Sequence, residues 1–542
     1  MYYHVPDYVY PPPCPLNILM VTDRDGCYAP ITGNRQQRSL NLLIDSLTRP
    51  SSLMNARIRK AHREPVTAGT VNGFAETAEE GFRSFRFRYT GAGERSLENF
   101  DEIWLFGILN TEQIVRNESG VDISSLADDE VNAINRFMSE RRGGVLAMGD
   151  HFTFGTPLCG RIPRVRSMRR WLVGEVPTAT DSTRLDTRIK PANVSQETFD
   201  AQTENQYEDD DVPQEIYPVI YGSASRFLPI EGYPHPLLCG PNGPIRVLPD
   251  HMHEGMCYVP RPLPEEFNGI SPQVIAYGTN RAGSAAVPSF GLIGAYDGDD
   301  AGLGRIVVES TWHHFVYLNL QGFAASTNPT GMRHWQEIQA YYQNLALWLA
   351  PTEKRACLFE NASWFARWHP RLDEELATFA NPNTFELVHL GRAGFDVLGQ
   401  WAPRCWVVQS LLIMISRLAP SPAMRLMIDP WYSGNKQQQQ PRPDSLSLLN
   451  AELIYTAALG GMLHRMYKSF PSPSVNPKEI KLLRKTLPVM AQEGIYQGLK
   501  SIEPILASSI ADLQNLQQLL PKDPILQRPQ EQKAKSTRNK KR

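Results

Sequence analysis

Histidine and carboxylate fall together at three places in this 542-residue chain: Gly149-Asp-His-Phe152, Pro249-Asp-His-Met-His-Glu-Gly255 and Glu309-Ser-Thr-Trp-His-His314. Together these groups make an acid–base pair or a metal site, because both can be tuned near neutral pH. Asp150 and His151 follow the apolar run Val145 to Met148 at a tight glycine turn. In Asp250-His-Met-His-Glu254, the i, i+2 spacing puts His251 and His253 on one face of an extended segment. Two imidazoles so placed can hold one divalent metal (zinc, manganese or iron) at about 2.0–2.1 Å per nitrogen. Asp250 or Glu254 could orient an imidazole or act as base. In the third stretch one of His313 and His314 is expected to face a crevice and its neighbour to point away. Glu309 is expected to lie within the strand as support. The three stretches are read as one site. Asp150, His151, Glu254, His313 and His314 are its candidate catalytic residues, and His251 and His253 its candidate metal ligands.

Two further segments supply candidate substrate contacts. Asp23 and Arg24 open the polar loop Asp23-Arg-Asp-Gly26, directly after the apolar run that starts at Asn17. The run Arg161 to Arg170 holds five arginines, and guanidinium forks suit carboxylate or phosphate, so Arg161 and Arg164 are candidates. The alternative is a solvated face paired with the acidic stretch Glu208-Asp-Asp-Asp211.

The elements that would carry these residues follow from hydrophobic pattern. Short continuous apolar runs suit buried parallel strands. They occur at Asn17–Thr22, Glu102–Gly107, Val145–Met148, Ile245–Leu248, Val274–Tyr277, Leu292–Tyr296 and Arg305–Val308. Phe85, Phe87 and Tyr89 alternate with arginines as in a half-wet strand, whereas 51–80 shows no regular pattern. Helices are expected after Asn34 (Leu40, Leu43 and Leu47 on one face, Pro50 as stop), from Ser124/Ser125 to Glu140, and from Met332 to Ala350. Strands alternating with helices give a doubly wound α/β sheet, flavodoxin-like and mostly parallel. In such sheets, ligands bind beyond the carboxyl ends of the strands, where Asp150 and His151 would sit. Residues 1–15 form an extended arm, 16–350 the α/β domain and 172–235 an insertion or lid within it. A mainly helical C-terminal region follows over 351–526, with a glutamine-rich linker at 435–443. A basic tail, 527–542, has the composition of a disordered segment.

Bulk properties narrow the class. A formal charge of −2 gives no global field to recruit nucleic acid or anionic membrane. The basic tail also lacks the aromatic interleaving used to bind single strands. The most apolar run, Trp406 to Ser416, is far shorter than the roughly 20 residues a spanning helix needs. Seven scattered cysteines without CxxC spacing argue against a disulfide framework and favour a reducing compartment, so a cytoplasmic soluble protein is expected.

The layout resembles the class I glutamine amidotransferase-like superfamily, ThuA-like branch, over roughly 16–350. The resemblance rests on the first strand Asn17–Thr22, the strand Glu102–Gly107, Gly143-Gly-Val-Leu-Ala-Met-Gly-Asp-His151 and the late strand reaching His313-His314. Amidotransferases place a nucleophilic cysteine in the turn after the central strand. Here that turn is Gly149-Asp-His-Phe152, and Cys159 lies too far downstream, so the resemblance implies the fold without glutaminase activity. ThuA-like proteins are similar in holding a histidine near this turn, which His151 matches, and the branch is implicated in sugar metabolism. The expectation is a metal-assisted or His/carboxylate acid–base hydrolase, or a lyase, of a small polar sugar- or amide-like substrate. The rival is a catalytically silent ligand-binding module whose C-terminal helices recruit a protein partner.

Overall fold

The computed structural model describes residues 14–23, 26–29, 38–49, 54–63, 80–107, 126–148, 158–170, 184–185, 213–221, 232–249, 253–254, 256–279, 289–418, 428–431, 451–470 and 477–519. The Gln-rich linker, the basic tail, nearly all of the N-terminal arm and most of the 172–235 insertion fall outside these residues, as do Arg24, Asp150, His151 and His251.

A mixed, mostly parallel sheet organises the chain. Its strands are β1 (Pro15–Thr22), β2 (Asn55–His62), β3 (Gly81–Phe82), β4 (Glu102–Phe106), β5 (Gly144–Met148), β6 (Arg169–Arg170), β7 (Tyr217–Pro218), β8 (Met256–Cys257), β9 (Gln273–Thr279), β10 (Ser289–Tyr296) and β11 (Ile306–Glu309). Strands β3-β2-β1-β4-β5-β11 run side by side and parallel, and β10 adds an antiparallel edge that β8 and β9 extend. Strands β4, β5 and β11 are buried along their whole length, as their apolar runs require of a sheet covered on both faces, with Glu102 and Glu309 buried at two of their ends. Alternate residues feed two cores. Leu16, Ile18, Met20, Trp104 and Leu146 face one, while Leu19, Val21, Ile103, Val145 and Val308 face the other.

The second core is covered by α2 (Asp128–Glu140), and the first by α1 (Asn41–Thr48), α3 (Tyr317–Ala325) and α4 (Pro329–Leu349). Helix α4 begins where Asn328 Oδ1 accepts the Gly331 N–H at 2.7 Å and Pro329 takes the first turn. Ile338, Tyr342, Leu345 and Leu349 then recur at helical spacing against the sheet.

Beyond Pro351 the chain is helical: α5 (Thr352–Arg367), α6 (Pro370–Thr378), α7 (Thr384–Leu398), α8 (Arg404–Leu418), α9 (Ala451–Ser469) and α10 (Pro477–Leu519). Helix α9 is the buried centre. A Cβ on Gly391 of α7 would stand 1.8 Å from the Thr456 carbonyl oxygen, and one on Gly461 would stand 2.3 Å from that of Gly494 on α10. Only glycine lets these backbones approach so closely. The first core runs without a break from Leu16 on β1 to Ile502 on α10, so packing continues across the expected boundary at 350.

Several expectations are corrected. Strand β2 lies inside the segment expected to be irregular. Its sequence, Asn-Ala-Arg-Ile-Arg-Lys-Ala-His, is only half buried and so carries no apolar run. Phe85, Phe87 and Tyr89 are buried but form no strand, having only an isolated bridge from Arg88 to Ser96 nearby. Val247–Pro249 pairs with Pro213–Glu215 in a separate two-stranded ladder rather than in the main sheet. Helix α1 begins at Asn41, later than an Asn34 cap would place it.

The cysteines also depart from expectation. Cys14 is bonded to Cys357 and Cys239 to Cys405, with Cα atoms 6.2 and 6.1 Å apart. The partners stand 343 and 166 residues apart in sequence, which hides the pairing. Both bridges tie the sheet region to the helices, and they weigh against the reducing compartment inferred from spacing. Denatured without reductant, the chain should titrate three thiols, Cys27, Cys159 and Cys257, and seven after reduction. Seven in both cases would remove the bridges from the account.

Glu360 on α5 provides a pH prediction. Burial raises its carboxyl to about 7, against the opposing charge of Arg417. A folded pKa above the unfolded value means stability is lost as pH rises through about 7. Glu360→Gln should therefore remove a loss of the order of 2 kcal/mol between pH 5 and 8, leaving acid stability unchanged. Denaturant melts across that window read it directly.

Candidate functional site

Strands β1, β4, β5 and β11 end along one edge at Thr22, Phe106, Met148 and Glu309. The strand order reverses between β1 and β4, the kind of place at which open α/β sheets take ligands. Val308 pairs with Ala147, so Glu309 is level with Met148. Asp150 and His151 follow one of these strands by sequence, and Thr311–His314 follow its immediate neighbour. Of the first pair nothing more is described.

His314 is fully buried. Its Nδ1 lies 2.5 Å from Glu309 Oε2, and its Nε2 lies 3.1 Å from Gln214 Oε1. The Tyr341 hydroxyl donates to the other Glu309 oxygen, and the Tyr342 hydroxyl donates to the His314 carbonyl at 2.5 Å. Burial, reinforced by the Glu309 charge, pushes the Tyr341 phenol well above the usual tyrosine range and keeps it a donor. With both ring nitrogens engaged and no exposed surface, His314 is a strut. It fixes the backbone that carries His313, a role legible only once Gln214 and Tyr341 are seen beside it.

His313 and His314 lie in a turn closed by the Phe315 N–H donating to the Trp312 carbonyl at 3.1 Å, not on the extended segment expected. His313 is 3% exposed, its ring is stacked on Trp312 at 3.7 Å, and its Nδ1 lies 3.0 Å from Asn319 Oδ1. An amide oxygen facing Nδ1 favours the tautomer that keeps its proton on Nδ1, the form a general base acting through Nε2 needs. The Arg38 guanidinium stands 5.5 Å from the Trp312 ring centre, and Thr311 Oγ1 accepts the His313 N–H at 3.2 Å. Asn319, on the first turn of α3, carried no signal in the sequence.

The second stretch approaches through Gln214. Leu248 pairs with Gln214 and Pro249 with Pro213, so the strand leading into Asp250 lies beside the residue that holds His314. His253 and Glu254 form a two-residue ladder with Leu185 and Arg184. Asp23, 5% exposed, ends β1 at the same edge, and its carbonyl accepts the Gly26 N–H at 2.9 Å.

Arg161 and Arg164 both have partners within the protein. Arg161 donates to the Leu126 carbonyl and pairs with Asp128 at the start of α2. Buried Arg164 reaches the Glu266 carbonyl at 2.8 Å and Asn135 Oδ1 at 2.9 Å. Arg166 pairs with Glu266 at 3.0 Å. The acid partners of these arginines are therefore Asp128 and Glu266, and they brace α2 against the 265–267 turn. His235 packs 5.1 Å from Trp348, and burial lowers it to about 3, with the Arg305 charge acting in the same direction. It stays neutral.

No thiol competes as nucleophile here. Cys257 is buried and pushed up to about 12 by that burial, and Cys159 Sγ donates to the Met148 carbonyl at 3.3 Å. Among the described residues, no group of three or more His, Cys, Asp or Glu is arranged to hold a metal ion. Among the same residues, no helix is long and apolar enough to cross a membrane. No family model, no curated protein and no solved structure matches the chain.

Proposed function

We propose that the chain is a hydrolase of a small polar substrate, working at the carboxyl edge of β5 and β11 with His313 as its acid–base group. The observation that carries this reading is how His313 is placed and held. One nitrogen is tied to Asn319, one face is stacked on Trp312, and the next residue is anchored by Glu309 and Gln214. A buried structural histidine is held in the same way, so what favours catalysis is the place of His313 beyond the carboxyl end of β11, next to the strand that leads into Asp150 and His151. In this reading Nε2 of His313 takes a proton from water as the water oxygen bonds to the electrophilic carbon. It then returns the proton to the departing nitrogen or oxygen. Asp150, His151 and Glu254 orient the water and substrate. His251 and His253 supply two nitrogens for a divalent metal, which when bound would polarise the substrate and acidify water.

The spatial order of the five long parallel strands, 2-1-3-4-5 in chain sequence, is that of flavodoxin-like sheets, which supports the amidotransferase-like resemblance. The rival reading, a silent module recruiting a partner through its helices, draws on Phe385 and Tyr496, which are exposed on α7 and α10. It is the weaker of the two, because those helices bury their apolar faces in the sheet's own core. The test is a panel of amide, ester and glycoside substrates given to the full chain with and without added zinc or manganese. The proposal expects turnover of at least one class. No turnover in any arm would leave the silent module.

A further inference from the structure

A cavity of about 240 Å³ opens at the edge of the sheet opposite His313. Arg142 and Arg305, just before β5 and β11, stand on one side of it, and α8 with Trp431 on the other. The α8 residues that line it, Gln409, Leu412, Ile413 and Arg417, recur at helical spacing, so one face of that helix is turned to the cavity. Trp431 is fixed as a wall: its carbonyl accepts from Gln273 Nε2 at 3.3 Å, and its own Nε1 donates to the Pro234 carbonyl at 3.0 Å. Two carboxylates of the lining are already neutralised. Asp297 accepts two hydrogen bonds from Arg305, at 3.0 and 2.8 Å, and Asp299 is held by Arg355 and Thr352. Three polar groups are left over. The amide of Gln409 and the guanidiniums of Arg142 and Arg417 make no hydrogen bond or ion pair with any described residue. Both arginines are exposed and so stand at the mouth, whereas Gln409 is 8% exposed and stands inside. A buried amide in that position has lost bonds to bulk water that the protein does not return. Arg142 also holds φ 54°, in the left-handed region just after α2 where glycine is the usual residue. The chain keeps an arginine there although Gly143 follows directly.

We propose that this cavity binds a small organic acid, its carboxylate on Arg142 and Arg417, its carbon chain against Leu412, Ile413 and Trp431, and an uncharged polar group bonded to Gln409. A guanidinium fork takes a carboxylate through two parallel hydrogen bonds, which suits the mouth. Asp297 and Asp299 are compensated by Arg305 and Arg355, so they leave no cation inside for a second carboxylate. A hydroxyl or amide is therefore the group that matches Gln409, whose side chain both donates and accepts. The site lies at the other end of β5 and β11 from His313, so it stands or falls apart from the hydrolase reading.

The test titrates the full chain calorimetrically with the monoamide of glutaric acid, with pentanoate and with inorganic phosphate. Each is run on wild type, Arg142→Gly, Arg417→Gln, Gln409→Leu and a control, Arg136→Gln, at an arginine already paired with Glu140. The expected result is one monoamide per chain, with a Kd weakened by about tenfold or more in Arg142→Gly and Arg417→Gln and unchanged in Arg136→Gln. Gln409→Leu should bring the monoamide to the weaker affinity of pentanoate and leave pentanoate itself unaltered. Glycine suits the backbone at position 142, so an unlowered melting temperature in Arg142→Gly shows that lost binding is not lost folding. Binding of neither acid by wild type, or equal Kd values in wild type and both arginine variants, overturns the site. Phosphate bound in preference to both acids overturns the organic ligand, and equal affinity for the two acids overturns the role of Gln409. Monoamide binding that survives in His313→Gln supports a site separate from the carboxyl edge.

Discussion

Replacing His313 with glutamine should lower kcat on any substrate the chain hydrolyses by about 10²–10⁴-fold, the range that a positioned general base contributes. KM should change little, because the proton is transferred in the transition state rather than on binding. Glutamine is close to isosteric and can still bond Asn319, so the fold should survive, and an unchanged melting temperature checks that. The loss arises because an amide nitrogen has no lone pair to take the proton that Nε2 takes. Asn319→Ala should fall between the two, since it keeps the imidazole but frees the tautomer that Asn319 Oδ1 selects at 3.0 Å. A further sign separates catalysis from packing. The acidic limb of the pH–rate profile should be present in wild type and absent in His313→Gln. A histidine held only for its stacking on Trp312 would leave both profiles alike.

Removing the Glu130 carboxylate should produce the largest loss of stability, about 3–5 kcal/mol in Glu130→Ala, the usual cost of orphaning one partner of a buried ion pair. Arg63 and Glu130 have side chains only 5% and 4% exposed and meet through two hydrogen bonds, at 2.7 and 3.1 Å. The same carboxylate accepts the Phe87 N–H at 3.0 Å and the Ala127 N–H at 3.1 Å, the second of these at the start of α2. Burial would raise its pKa, but the Arg63 pairing and the two backbone donors outweigh that and hold it below the usual range. Its contribution is therefore present at neutral pH and lost as pH falls through that lowered value. Denaturant unfolding followed downward from pH 7 should show a large difference between wild type and variant at pH 7 that narrows as the carboxylate is protonated. Equal stabilities at pH 7 would show the pair to be replaceable.

How much of this was legible depends on what each residue packs against. Strands β1, β4, β5 and β11 announce themselves because both faces are covered and each carries a continuous apolar run. Strand β2 has a wet flank and could not be seen. Val247–Pro249 has the apolar content of a central strand, yet tertiary pairing assigns it to Pro213–Glu215. The turn that carries His313 and His314 was not legible, because their stretch reads as extended. Nor were their different roles, because the strut needs Gln214, a hundred residues away, and Tyr341 on α4. Arginine spacing likewise gave no means of seeing that Arg164 is held by Glu266 and Asn135.

The central claim is that separate stretches of chain serve one site, and a double-mutant cycle in turnover tests it most directly. His253→Ala, His313→Gln and the double variant would be measured on the same substrate and metal supply. Residues that act as a unit are strongly non-additive. The account therefore predicts a double variant within about tenfold of the more damaged single variant. Effects that multiply, or a His253→Ala chain with undiminished turnover, would contradict it.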